Sequence, residues 1–128
     1  MKKIWLVVPI LLLFVFAGAD LVKTKMWVSE GVKTNPIAGT ILAQTGAVAS
    51  AEYSISEAVS CSAICVFDIE IWDETDTTKL KSQRVWLAAN IPFLAKLVYA
   101  YPIEQNIKIY IKMVNALTGS TQGSVILE

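Results

Sequence analysis

Hydrophobic and polar residues alternate along most of the chain after residue 20, and turn residues separate the alternating stretches. A period of two is typical of β-strands with one buried face, and no stretch has the 3.6-residue period of an amphipathic helix. The pattern predicts eight strands, at residues 21–28, 40–44, 48–56, 65–72, 79–87, 93–101, 107–114 and 124–127. Parallel strands would need crossover helices, so we predict an all-β antiparallel sandwich of seven or eight strands.

The segments between the strands are also specified by the pattern. Residues 73–78 form a polar turn, and residues 57–64 are interpreted as a connection that contains the first cysteine. The segment 20–28 alternates and is followed by a break at Gly31 and at Asn35-Pro36, so it could pair with the open sheet edge of a neighbouring copy.

Residues 1–19 carry two lysines, an apolar run from Ile4 to Phe16 and the small residues Ala17-Gly18-Ala19. This order is that of a secretory signal peptide with its cleavage site. A second interpretation stays open, in which the segment is a hydrophobic helix retained as an anchor. Its 16 apolar residues before Asp20 fall short of the about 20 that span a membrane. We predict one domain at residues 20–128, secreted, extracellular or periplasmic, or membrane-anchored with the domain outside.

The two cysteines, Cys61 and Cys65, can pair in an exported protein. In an extended strand their Cα atoms would lie about 13 Å apart, whereas a disulfide needs about 7 Å or less. The pair can therefore close only if Ser62-Ala63-Ile64 forms a turn. We predict the disulfide between Cys61 and Cys65; the alternative is that both thiols pack separately in the core.

Composition argues against several function classes. The chain contains no histidine, which removes the usual general base and the histidine metal ligands. The formal net charge is zero, and removal of Lys2 and Lys3 leaves a small acidic excess, so we expect no nucleic-acid partner. Contact with a membrane is expected only if the N-terminal segment is retained. We predict a protein that is not an enzyme and has no cofactor.

Two surface features could bind a ligand. Five carboxylates cluster in and after one predicted strand, which suggests a calcium site or, more simply, a solvated face; they are Asp68, Glu70, Asp73, Glu74 and Asp76. Six aromatic residues could form a platform: Trp27, Trp72, Trp86, Tyr99, Tyr101 and Tyr110. Of these, Trp72 and Tyr110 fall on the polar sides of their strands, and we predict them as the binding surface. We predict no metal site.

The stretch CVFDIEIWDETDTTKLKSQRVWLAANIPFLAKLVYAY, followed by IKIYIKMVNALTG, resembles bacterial and archaeal immunoglobulin-like modules of the CARDB-like or fibronectin III-like kind. The likeness covers about residues 48–120 and lies in the succession of strand, polar turn, apolar return strand and Tyr-rich edge. It implies an immunoglobulin-like β-sandwich with an extracellular interaction role. No functional residue is transferred by it, since the Cys…Trp…Cys spacing of antibody domains is missing.

These observations predict a non-enzymatic exported structural or interaction module, such as a surface, virion or filament subunit. Its partner is another protein or further copies of itself. Two alternatives stay open: a membrane-tethered accessory subunit, and a soluble carbohydrate-binding or calcium-binding domain.

Overall fold

The computed structural model of the chain describes residues 26–49, 53–96 and 106–128, and the regular structure in these ranges is entirely β-strand. The strands are β1 Met26–Val28, β2 Lys33–Thr34, β3 Ile41–Gln44, β4 Val48–Ala49, β5 Ile55–Cys61, β6 Cys65–Asp73, β7 Lys79–Leu87, β8 Phe93–Lys96, β9 Asn106–Met113 and β10 Ser120–Leu127. Within these ranges no helix has the length and apolar character needed to cross a membrane. The segment 1–19 lies outside the described residues, so the signal peptide, the anchor and the hydrophobic helix stay predictions.

The strands form two antiparallel sheets on either side of one core. Sheet I has the order β1-β10-β5-β8, with β2 also paired to β10. Sheet II has the order β3-β9-β6-β7, with β4 also paired to β9. Since β1 and β2 share one partner, and β3 and β4 share another, the ten strands occupy eight positions. The predicted antiparallel sandwich is confirmed.

The strand order differs from the immunoglobulin-like order that the resemblance implies. In an immunoglobulin domain the last two strands are neighbours in one sheet. Here β9 pairs with β6 in sheet II, while β10 pairs with β5 in sheet I. Apart from β6 and β7, which are neighbours in sheet II, the eight positions alternate between the two sheets along the chain, and the order is that of a jelly roll. The alternation of side chains reports which face of a strand is buried and says nothing of which strand lies beside it.

Strand β5 corrects two predictions. The predicted strand at 48–56 and the predicted connection at 57–64 are both wrong, because Val48–Ala49 pairs in sheet II whereas β5 runs from Ile55 to Cys61 in sheet I. Its inward positions are Ile55, Glu57, Val59 and Cys61, all of them buried. A carboxylate in the second of these four positions interrupts the apolar alternation, which is why the sequence pattern does not show the strand.

The core is built from the inward side chains of both sheets. Phe67 is completely buried and packs edge-on against Phe93 of the other sheet, with ring centroids 5.4 Å apart. Gly123 in β10 lies where the sheets approach closely, since a Cβ atom there would come 2.8 Å from the Cβ of Leu42 in β3. The sheets therefore approach closely at a residue without a side chain.

The predicted disulfide is confirmed, and it joins the two sheets. Cys61 ends β5 in sheet I and Cys65 begins β6 in sheet II, with their Cα atoms 6.5 Å apart across the turn 62–64. Both cysteines are buried. The bond therefore holds the crossover between the sheets at one end of the sandwich.

Candidate functional site

The two aromatic residues selected from the sequence, Trp72 and Tyr110, lie together on the outer face of sheet II. Trp72 is near the end of β6 and Tyr110 is in β9, and both are half-buried. With Asp76 and Lys112 they line a cavity of about 190 Å³. The structure therefore brings the predicted pair to one surface.

Glu70 lies at the centre of this surface. Its carboxylate accepts a hydrogen bond from Trp72 Nε1 at 3.0 Å and forms ion pairs with Lys112 at 3.0 Å and Lys79 at 3.1 Å. Burial raises the pKa of Glu70 and is the largest single influence on it. The hydrogen bonds from Trp72, Lys112 and Lys79 together outweigh burial, so the pKa lies below its ordinary value. The carboxylate stays ionised because its partners favour the charged form.

Asp76 pairs in the same way at the border of this surface. Lys108 Nζ lies 2.8 Å from one carboxylate oxygen of Asp76, and Tyr110 donates its hydroxyl proton to the other at 2.7 Å. These two hydrogen bonds lower the pKa of Asp76. Burial, followed by the hydrogen bond to Asp76, raises the pKa of Tyr110 to about 12. The hydroxyl of Tyr110 therefore stays protonated and donates its hydrogen bond to Asp76.

The lysines also lie over the aromatic rings. The Nζ atom of Lys112 is 5.0 Å from the ring centroid of Tyr110 and 5.9 Å from that of Trp72, and Lys79 Nζ is 5.6 Å from the Trp72 ring. These cation–π contacts place ammonium groups where a flat ligand would stack. The outer face of sheet II is thus internally paired, and the binding role of Trp72 and Tyr110 stays a prediction.

The remaining carboxylates of the acidic cluster also have protein partners. Arg84 donates two parallel hydrogen bonds to Asp68, at 3.0 and 3.1 Å. Asp73 accepts from the backbone N–H of Thr77 at 2.7 Å, and Glu74 accepts from Asn106 at 3.1 Å. In the described ranges no three Asp, Glu, Cys or His side chains come together as a possible metal site.

Sheet I has a different outer face, which carries an uncharged groove. One cavity of about 410 Å³ is lined by Val32, Ser60, Cys61, Ser62, Asn90, Pro92, Ser120, Thr121 and Gln122. A second cavity of about 220 Å³ is lined by Trp27, Ala58, Val59, Ser60, Pro92, Phe93, Gln122 and Ser124. The two share Ser60, Pro92 and Gln122, and we call them together the neutral groove. Of the described residues that line it, none is charged.

Hydrogen bonds between separate chain segments hold the walls of the neutral groove. The backbone N–H of Ser62 donates to Ser120 O at 2.9 Å, and that of Ser120 donates to Ser62 Oγ at 2.8 Å. Asn90 N donates to Cys61 O at 2.8 Å, and Thr121 Oγ1 donates to Ser60 O at 3.0 Å. Together with the disulfide, these contacts fix the groove in the protein without a ligand.

The loops around the disulfide form one end of the sandwich, which we call the loop end and define as residues 29–40, 62–64, 88–92 and 114–119. Asn35 and Gly119 exchange two hydrogen bonds, at 2.7 and 2.9 Å, across two of these loops. Four aliphatic side chains of the loop end are between 57% and 72% exposed: Val32, Ile37, Ile64 and Ile91. Glu30 and Lys33 are the two charged residues in these loops.

One titratable group lies inside the core. Glu57 of β5 is only 1% exposed, and within the described part of the chain its Oε1 atom has no hydrogen-bond partner. Burial raises its pKa to about 7, against smaller opposing effects of a backbone hydrogen bond and of the positive charge of Lys81. The alternation predicted no role for this carboxylate, because residue 57 falls in the predicted connection at 57–64.

The sequence pattern also gave no sign that Trp27 is more exposed than most of the other aromatic residues. The structure shows that Trp27 and Trp86 are the exposed ones, at 65% and 73%, on the outer faces of sheets I and II respectively. Both lie in edge strands and each is opposite a buried aliphatic residue, Ile126 and Val66. Tyr99 and Tyr101 lie outside the described residues. These two tryptophans are exposed because their strands lie at sheet edges. The order of the strands decides which are edge strands, and the alternation does not show that order.

No family model and no curated protein matches the chain. A solved chain described as "CBM4 structure and function" shares 15% identity with it, over 81% of this chain and 59% of that one, with a TM-score of 0.43. A chain of infectious bursal disease virus, Gx strain, shares 11% identity over 81% of this chain and 31% of that one, with a TM-score of 0.47. The protein thus spans less than two thirds of either chain, and at these TM-scores neither likeness carries an argument about function.

Proposed function

We propose that the protein is a non-enzymatic, exported interaction module, which contacts a protein partner through its loop end. The observation that carries this proposal is the exposure of Val32, Ile37, Ile64 and Ile91 on loops that are tied together. A surface, virion or filament subunit would use such a contact, and so would a membrane-tethered accessory subunit.

Charge distribution supports a protein partner over an anionic surface. The cores of protein interfaces are depleted in charged residues and enriched in apolar ones. The loop end contains one acid and one base, Glu30 and Lys33, and so has no net charge. Helices and loops that bind anionic lipid usually carry several Lys or Arg residues. An apolar, neutral end is better matched to an apolar patch on another protein.

The sheet edges support a contact through loops and faces instead of through added strands. In the described residues β1 pairs with β10 of its own chain, Met26 opposite Leu127. Pairing of the segment 20–28 with a neighbouring copy stays a prediction. Strand β7, at the edge of sheet II, carries Lys79, Lys81 and Arg84. A basic edge of this kind discourages edge-to-edge pairing.

Met26 and the disulfide end of β5 lie at opposite ends of sheet I. Met26 is opposite Leu127, and Leu127 is opposite Ile55, whereas Cys61 lies at the other end of β5. The distance between these ends of sheet I is about 20 Å, at about 3.4 Å per residue. Whether the N-terminal segment is cleaved or retained, the loop end lies at the far end of the domain from Met26.

Photo-crosslinking at the loop end tests the proposal. A photoreactive residue at position 64 or 91, in the protein exported by its own host, should give one discrete crosslinked species. The same residue in place of Leu94, which is 72% exposed on sheet I but lies outside the loop end, is the matched control. The Ile37→Lys substitution should abolish the crosslink from position 64. Crosslinks of equal yield from position 94, or none from positions 64 and 91, would contradict the proposal.

N-terminal sequencing of the same material decides between the two exported forms. A start at Asp20 supports a cleaved and free module, and a start at Met1 supports a tethered subunit.

A further inference from the structure

We propose that the neutral groove on sheet I is a binding site for an uncharged oligosaccharide, with Trp27 as its stacking residue. This inference does not rest on the loop end, because it is argued from the polar lining and Trp27 and would bind a different class of partner. The two surfaces share Val32, Ser62, Asn90 and Pro92. Of the four exposed aliphatic side chains that carry the loop-end proposal, only Val32 lines the groove.

The chemistry of the lining points to the class of ligand. The groove offers hydroxyls and side-chain amides, from Ser60, Ser62, Ser120, Asn90 and Gln122, but no charged group among its described lining residues. A charged ligand would lose hydration without gaining a counter-charge, and burying an unpaired charge is costly. A purely apolar ligand would leave the polar groups of the groove unpaired. The lining therefore suits a neutral ligand with many hydrogen-bonding groups.

The backbone of the groove floor argues against an extended peptide. Peptides often bind a sheet by adding a strand to an open edge. The floor consists of β5 and β10, and β5 pairs with β10 and β8 while β10 pairs with β5, β1 and β2. Strand β5 has neighbours on both sides, and β10 has them except at residues 122–124, where Gly123 O accepts a hydrogen bond from Ser29 Oγ at 2.6 Å. The floor therefore presents no continuous open edge to a peptide. A ligand on this floor must bind through side chains, as a polyhydroxylated chain can.

Trp27 supplies the apolar part of the site. It borders the groove beside Ser124 and Gln122, and its side chain is 65% exposed. A tryptophan ring offers a large flat surface at low entropic cost, and the C–H face of a pyranose can lie against it.

The groove has the length for several linked sugars. Its lining residues on β10 run from Ser120 to Ser124, about 13 Å of extended strand. Trp27, which is opposite Ile126, borders the groove beyond Ser124. The walls are held by the disulfide and by hydrogen bonds between segments, so little ordering is required on binding.

The experiment is isothermal titration calorimetry of the purified protein with neutral hexasaccharides (cellohexaose, xylohexaose, mannohexaose and N-acetylchitohexaose). Hyaluronan hexasaccharide and a hexagalacturonate serve as charged probes. We expect one or more neutral probes to bind and both charged probes to bind at least about tenfold more weakly, which corresponds to about 1.4 kcal/mol.

Two tryptophans of similar exposure provide the matched comparison. Trp27→Ala should weaken binding by about tenfold or more, while Trp27→Tyr should retain most of it. Trp86→Ala, on the opposite face, should leave it unchanged. Gln122→Ala should weaken binding to a smaller extent than Trp27→Ala. Circular dichroism of every variant establishes that it is folded.

Several results would overturn the proposal. They are failure of all four neutral probes to bind the folded protein, equal or stronger binding of the charged probes, and equal losses with Trp27→Ala and Trp86→Ala. Binding of an extended peptide in the groove, in place of the sugars, would also contradict it. None of these results bears on crosslinking at the loop end, so failure of one proposal is distinguishable from failure of the other.

Discussion

The outer faces of the two sheets use polar residues in opposite ways. On sheet II, charged and aromatic side chains contact one another: Glu70 pairs with Trp72, Lys79 and Lys112. On sheet I, the outer positions of β5 and β10 are small or neutral, and they line a groove. A face whose polar groups are already paired is stabilised by them, whereas a face with neutral groups open to solvent has hydrogen bonds to offer a ligand.

The two sheets also differ in the direction in which their central carboxylates point. The carboxylates in the middle of β6, Asp68 and Glu70, point outward and have cationic partners. The carboxylate in the middle of β5, Glu57, points inward, and its Oε1 atom is unpartnered within the described residues. The two sheets should therefore respond to pH in opposite directions.

The largest expected change is in the pH dependence of stability, and Glu57→Gln should cause it. Because burial raises the pKa of Glu57 from 4.5 to about 7, the folded state is most stable when this group is protonated. Its contribution is complete below pH 4.5 and is lost as the pH rises through 7, on the order of 3 kcal/mol in total. Urea denaturation between pH 4 and pH 8 should show this loss in the natural protein and a much smaller one in Glu57→Gln. The exposed substitution Glu30→Gln is the control, and an unchanged slope in Glu57→Gln would contradict the prediction.

Glu70→Ala is expected to lower the free energy of unfolding by about 2 kcal/mol, because two lysines and an indole N–H lose their common acceptor. The pKa of Glu70 lies below its ordinary value, so its contribution is present above that value and is lost as the pH falls through the lowered pKa. The free energy of unfolding of the variant should therefore approach that of the natural protein in strong acid. Ser60→Ala on sheet I should change the free energy of unfolding by less than about 0.5 kcal/mol. Equal losses from both substitutions would remove the contrast between the faces.

Gly123→Ala tests the place where the inner faces meet. The added methyl would come 2.8 Å from the Cβ of Leu42, and overpacking of this kind costs about 1–3 kcal/mol; we expect a value near the middle of that range. Gly46→Ala is the matched control, since a Cβ atom there has nothing within 4 Å. Thermal unfolding of both variants gives the comparison. A neutral Gly123→Ala would show that the sheets can separate locally without cost.

The smallest effect is expected from Arg84→Ala, which removes the pair with Asp68 on the exposed side of sheet II. Exposed ion pairs contribute about 0.2–1 kcal/mol and are screened by salt. The loss should therefore be measurable by urea denaturation at low ionic strength and vanish in about 1 M salt. A loss that is independent of salt would indicate that Arg84 acts by packing and not by charge.

The sequence predicted the strongly alternating strands closely. The prediction for β7 is identical to the observed strand, and those for β6 and β9 differ from it by a residue at one or both ends. The disulfide was also predicted, on the condition that residues 62–64 form a turn, and the structure has both the turn and the bond. Strand β5 was missed because Glu57 occupies an inward position, and the local pattern cannot show that a carboxylate is buried. Sheet order was not predictable, because pairing joins residues as far apart as Trp27 and Ile126.

The alternation of residues by itself determined that this protein is an antiparallel β-sandwich and which side of most strands faces the core. It also placed Trp72 and Tyr110 on an outer face. Only the tertiary structure decided that lysines from β7 and β9 lie over those rings, that Trp27 is on an edge, and that loops far apart in sequence form one neutral groove. The physical reason is that burial on one face is a local property of a strand, whereas a surface is assembled from neighbours that only the pairing of strands selects.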